Sequence, residues 1–175
     1  MLDDDPDQVC RPAQGRVNLH PRRERRRSYR ERRSVNMPEL AYSDIKIGDN
    51  ASLTRTITEA HIVNFAGITG DFNPVHVDAE FAQQSMFGER IAHGMLMAGF
   101  ISTVLGMQLP GPNAIYLGQE LKFTAPVKIG DTVTVTATVT EKRDDKRIIK
   151  LQTTVVNQKG EKVVDGNAVI KKLGL

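Results

Sequence analysis

Met95 to Leu109 is a run of about fifteen largely apolar residues, and nothing else in the chain constrains the fold as tightly. It contains Gly99, Ser102, Thr103, Gly106 and Gln108, and a membrane span needs roughly 20 predominantly apolar residues. A helix this apolar has to be covered by protein. The cover lies downstream. Thr132 to Thr140 alternates strictly, with Val133, Val135, Ala137 and Val139 against five threonines, the period of a strand with one buried face. Ile115 to Phe123, Ile148 to Asn157 and Val163 to Leu173 read as further strands, and Ala51 to Ile57 as an earlier one. Turns are expected at 128–131, 144–146 and 158–161, where Gly, Asp and Lys cluster. The expected architecture is α+β: an antiparallel sheet wrapped around one central apolar helix.

Two shorter helices are expected before it. One starts from a cap at Thr56 or Thr58, turns Ile62, Val63, Phe65 and Ala66 inward, and ends at Gly67 to Gly70. The other is capped by Asp78. Pro110-Gly111-Pro112 stops the apolar helix.

Charge is unevenly distributed. Residues 1–36 hold ten Arg against six Asp and Glu, whereas the remainder holds 14 Lys and Arg against 15 Asp and Glu. The basic balance therefore belongs to the tail, and the rest carries no nucleic-acid footprint. With few large apolar residues, 1–36 reads as a disordered Arg-rich extension, and 37–175 as a single domain. Met37 is the expected physiological start. Cys10 is the only cysteine, which leaves the body of the chain without a disulfide, a thiolate metal site or a cysteine nucleophile and fits a reducing cytoplasm. No signal-peptide pattern and no membrane span are expected, and no Gly-rich phosphate loop is present.

Chemistry concentrates at residues 67–76, Gly-Ile-Thr-Gly-Asp-Phe-Asn-Pro-Val-His. Pro74 fixes its own φ and pushes Asn73 out of the helical region, while Gly70 permits a sharp turn. An acid, Asp71, and an imidazole, His76, are thus held on stiffened irregular backbone, an arrangement suited to proton transfer. Gly94 sits where the apolar helix begins, so its N–H is free of an intrahelical acceptor and the helix dipole favours negative charge there. Ser102 lies eight residues on, about two turns, on roughly the same face. Asn73 is placed to hold the loop or a water. His93 reads as a structural residue bonding backbone at the start of that helix, His61 as part of a solvated face.

Gly70 to His76, followed by Ala82, by Ile91-Ala92-His93-Gly94-Met95-Leu96 and by Tyr116-Leu117-Gly118-Gln119, resembles the hydratase-2 motif of the MaoC-like (R)-specific enoyl-CoA hydratases, across about residues 40 to 173. The resemblance implies a hot-dog fold, a homodimer with active sites near the subunit interface, an acyl-CoA thioester substrate, and neither metal nor redox cofactor. It gives Ser102 the task of orienting Asp71. The Arg-rich extension is not part of the family pattern.

Hydration of a trans-2-enoyl thioester needs water activated toward Cβ, a proton for Cα and a donor for the enolate-like oxygen. The expectation is Asp71 as base, His76 as its water-orienting partner and the Gly94 N–H as oxyanion donor. Phe72, Phe81, Phe87 and Leu96 are candidates for the acyl pocket. Supply of (R)-3-hydroxyacyl-CoA to polyhydroxyalkanoate synthesis or fatty-acid metabolism fits this reading. The alternatives are a 3-hydroxyacyl-carrier-protein dehydratase, which runs the same residues in reverse, a hot-dog thioesterase, and a non-catalytic acyl-thioester binding module.

Overall fold

The computed structural model describes residues 39–174; the extension expected at 1–36 lies outside the described residues. Strand β1 (Asn50–Thr56) leads into helix α1 (Glu59–Thr69), two short helices α2 (Pro74–Val77) and α3 (Ala79–Gln84), the long helix α4 (Gly94–Met107), and strands β2 (Ala114–Phe123), β3 (Thr132–Arg143), β4 (Ile148–Asn157) and β5 (Lys162–Lys172). The five strands form one antiparallel sheet in the order β1-β3-β4-β5-β2. β3, β4 and β5 are the expected meander. β1 joins it on the β3 side, with Ser52 opposite Thr136, and β2 closes the other side against β5.

The alternation in β3 does what its period requires. Val133, Val135, Ala137 and Val139 are buried, and the intervening threonines face outward. Two of those, Thr134 and Thr132, pair through their hydroxyls with Thr54 and Thr56 of β1 at 3.0 and 2.8 Å. Helix α4 lays one face against the sheet, with Leu96, Met97, Ile101, Val104 and Leu105 buried. Each such side chain contributes roughly 1.5–3 kcal/mol by leaving water, so α4 and the sheet stabilise each other. No helix among the described residues is long and apolar enough to cross a membrane.

Helix α1 follows Thr58, whose N–H donates to the Nδ1 of His61 at 3.1 Å. His61 is therefore a capping residue and not simply part of a solvated face. Ile62 and Ala66 turn inward as expected, but Val63 is half exposed, because it lies 100° round the helix from Ile62. The helix ends at Gly70, whose φ of 78° is left-handed, a conformation that favours glycine.

The expected loop through Pro74 is partly helical. Asn73 accepts the Val75 N–H at 3.3 Å and Pro74 occupies the first helical position. Proline is at home there, since its missing N–H would have had no partner. Asp78 caps α3 by accepting from the backbone of Glu80 and Phe81 at 2.9 and 3.0 Å.

Candidate active site

Residues 70–76 run from the end of α1 past the start of α4, and 91–93 form a brace between them and the sheet. On one side the Ile91 N–H donates to Val75 O at 3.2 Å; on the other the Ala92 N–H donates to Val127 O at 2.7 Å. Ion pairs between Lys128 and Glu89 (2.5 Å) and between Arg90 and Glu59 (3.0 Å) flank the brace.

His76 stands on α2, half-buried, and its Nδ1 lies 2.8 Å from the carbonyl of Ile91. A carbonyl only accepts, so Nδ1 carries the proton and Nε2 keeps its lone pair. Asp71 is exposed; its carboxylate accepts the Asn73 N–H at 3.3 Å, and its backbone carbonyl accepts from Nε2 of His93 at 2.9 Å. One side-chain atom each of Asp71, His76 and His93 lie within 4.8 Å of one another, and among the described residues no hydrogen bond joins Asp71 to His76. The rings of His76 and His93 stack at 3.8 Å with 31° between their planes.

Gly94 is the first residue of α4, and His93 is its N-cap. Gly94, His76 and His93 line one cavity of about 450 Å³, together with Phe87, Met95 and Met97, the end of β2 and following loop (Phe123 to Val127), and Val163 and Val164. The wall is largely apolar, and a helix N-terminus opens into it. The Phe123 ring packs directly on Gly94: a Cβ there would meet Cδ1 and Cε1 of Phe123 at 2.9 Å each.

Asp71 lies beside His76, His76 and Gly94 share one cavity, and Asn73 holds the loop through its cap. Ser102 is not brought to them within the chain. It lies two turns along α4, about 12 Å at 1.5 Å per residue, in a separate hollow with Leu105, Gly106, Ala114, Tyr116 and Ile170. Of the four acyl-pocket candidates only Phe87 lines the cavity. Phe72, in the loop before α2, and Phe81, on α3, are 60% and 50% exposed, and Leu96 packs in the core. His93 bonds backbone at the start of α4, as expected, whereas Phe123 gave no signal of its place in the sequence. Phe123 ends a strand just before Pro126, and only the pairing of β2 with β5 brings it across to Gly94.

Residues 44–160 match the model of the MaoC like domain. The chain belongs to the MaoC-like domain family. Among its relatives, the (R)-specific enoyl-CoA hydratase of Rhodospirillum rubrum is 53% identical over 129 residues, 74% of this MaoC-like chain and 89% of the relative. An R-hydratase of Pseudomonas aeruginosa, solved without ligand, superposes with a TM-score of 0.74 at 45% identity, covering 78% of this chain and 89% of its own. The (R)-hydratase of A. caviae involved in PHA biosynthesis gives 0.72 at 43%, covering 74% and 98%. The hot-dog fold is therefore that of this MaoC-like chain.

Proposed function

We propose that the protein is an (R)-specific enoyl-CoA hydratase that adds water to trans-2-enoyl-CoA without a cofactor. The observation that carries this is the pairing of Asp71 with an imidazole whose Nε2 is left as an acceptor, beside an apolar cavity entered by the N-terminus of α4. One water sits between the two side chains. His76 Nε2 accepts one of its hydrogens and aims the oxygen at Cβ. Asp71 takes the other proton as the C–O bond forms, and returns it to Cα when the enolate collapses, so that the elements of one water are added. The thioester oxygen gains negative charge in between, and the Gly94 N–H, unpaired within its helix, stabilises it. Relatives named as hydratases of this stereochemistry support the (R) product, and the A. caviae relative supports a place in supplying polyhydroxyalkanoate synthesis. The reading places the enzyme in the cytoplasm.

The enzyme works as a homodimer. Edge strand β2 exposes Ile115, Tyr116 and Leu117, and α4 exposes Met95 and Met107. An apolar sheet edge of this kind is a template for pairing with another chain. Ser102 orients Asp71 only if the assembled dimer closes the distance that separates them in one chain.

The test is direct. Crotonyl-CoA mixed with the purified protein should lose its enoyl-thioester absorbance, and an (S)-specific 3-hydroxyacyl-CoA dehydrogenase should leave the product untouched. Release of free thiol in place of hydration would sink the reading in favour of a thioesterase.

A further inference from the structure

Asp71 sits on a stretch with little to hold it. The Asp71 N–H donates to Thr69 Oγ1 at 3.3 Å, Phe72 N–H to Gly70 O at 3.1 Å, and Asn73 N–H to the Asp71 carboxylate at 3.3 Å. All three tie the loop to itself. Among the described residues, one long-range hydrogen bond reaches Asp71–Asn73: that from Nε2 of His93 to the carbonyl of Asp71, 2.9 Å across 22 residues. The same ring stacks on His76, touches the Phe65 ring at 4.9 Å between centroids, and belongs to the residue that caps α4 immediately before Gly94. It is 2% exposed. Its Nδ1 is buried with no partner among the described residues, a costly state for a polar atom; an apolar side chain would meet a packing role better.

We propose that His93 is a positioning residue, whose Nε2–H fixes Asp71 against the start of α4 and so sets the distance from the base to the oxyanion donor. The role rests on the hydratase reading above. It goes beyond a backbone-bonding residue at a helix start, because the bonded carbonyl belongs to the base itself.

Two amides separate the hydrogen bond from the ring. A glutamine carries its amide nitrogen near the position of Nε2, an asparagine near that of Nδ1, and both lose the stack on His76. His93→Gln should keep kcat for crotonyl-CoA hydration within about fivefold. His93→Asn should lose about 100-fold in kcat, the scale of a misplacement near 1 Å, with KM within about threefold. Equal kcat in the two variants would overturn the role while leaving the hydratase reading intact; a wild-type enzyme that hydrates no enoyl-CoA would overturn both. Should neither variant fold, ¹⁵N-histidine NMR of the wild-type protein decides. His93 should be protonated at Nε2 and not at Nδ1, and the opposite tautomer would overturn the proposal.

Discussion

Helix α4 with its sheet and the segment 70–93 are held together by different physics. In the first, Ile101, Val104, Val135, Ala137, Ile149, Leu151 and Val155 are fully buried, and close-packed apolar contact does the work. In the second only Ala82, Ala92 and His93 are buried. There the chain is placed by directional bonds: the Asn73 and Asp78 caps, His76 on Ile91, His93 on Asp71, and the brace at 91–93. Stability resides in one region and reactive geometry in the other. Damage to the first should unfold the protein, and damage to the second should slow it while leaving it folded.

Asp71→Ala gives the sharpest separation. Loss of the proposed base should lower kcat by ~10²–10⁴-fold, while the urea midpoint hardly moves, since Asp71 is an exposed side chain. Ile101→Ala should do the reverse. It should cost ~2–5 kcal/mol in unfolding free energy, with the folded fraction retaining its rate. Gly94→Ala tests the seam between the regions. The new methyl collides with Phe123, and the overpacking should cost ~1–3 kcal/mol, read as lost activity; adding Phe123→Leu should restore much of it. Asn73→Ala removes the α2 cap, typically worth ~0.5–2 kcal/mol. Because that cost falls on a local turn, it should appear as a lower rate with an almost unchanged melting curve. A melt altered as much as by Ile101→Ala would break the comparison.

The smallest effect lies at alkaline pH. Tyr116 is partly exposed, and desolvation on the covered part of its side chain pushes the phenol up to about 12 from its ordinary 10.0. Up to pH 10 folded and unfolded chains both keep the proton. Between 10 and 12 the unfolded chain loses it first, so stability falls as pH rises through that window. Tyr116→Phe should flatten part of the fall; Tyr42, raised to about 12 by burial and then by its bond to Asp144, accounts for another part.

The strands and α4 were legible because a period of two, or a largely apolar run, records burial in the residues themselves. Asp71, His76 and Gly94 were legible as candidates for a related reason: proline, glycine and asparagine mark where backbone is bent, and an acid and an imidazole fell inside the marks. His93 left no such signal. One buried histidine at a helix start reads alike whether its carbonyl partner matters or not, and that partner is fixed only when α1 and α4 have packed. The cavity was equally hidden, since Phe123 and Val163 reach it through the pairing of β2 with β5. Ser102 shows the converse limit: helical spacing placed it on α4, but spacing along one helix says nothing about how far its neighbours reach.

The ring of Phe123 lying on Gly94 also constrains how sequences in this family can drift. Position 94 has no room for a methyl group while a phenyl stands over it, and a smaller residue at 123 would widen the cavity around the helix start. Neither position can change first without a penalty. The two should therefore vary together, as a coupled pair far apart in the chain, and homologues with a larger residue at the helix start should carry a slimmer one at the end of β2.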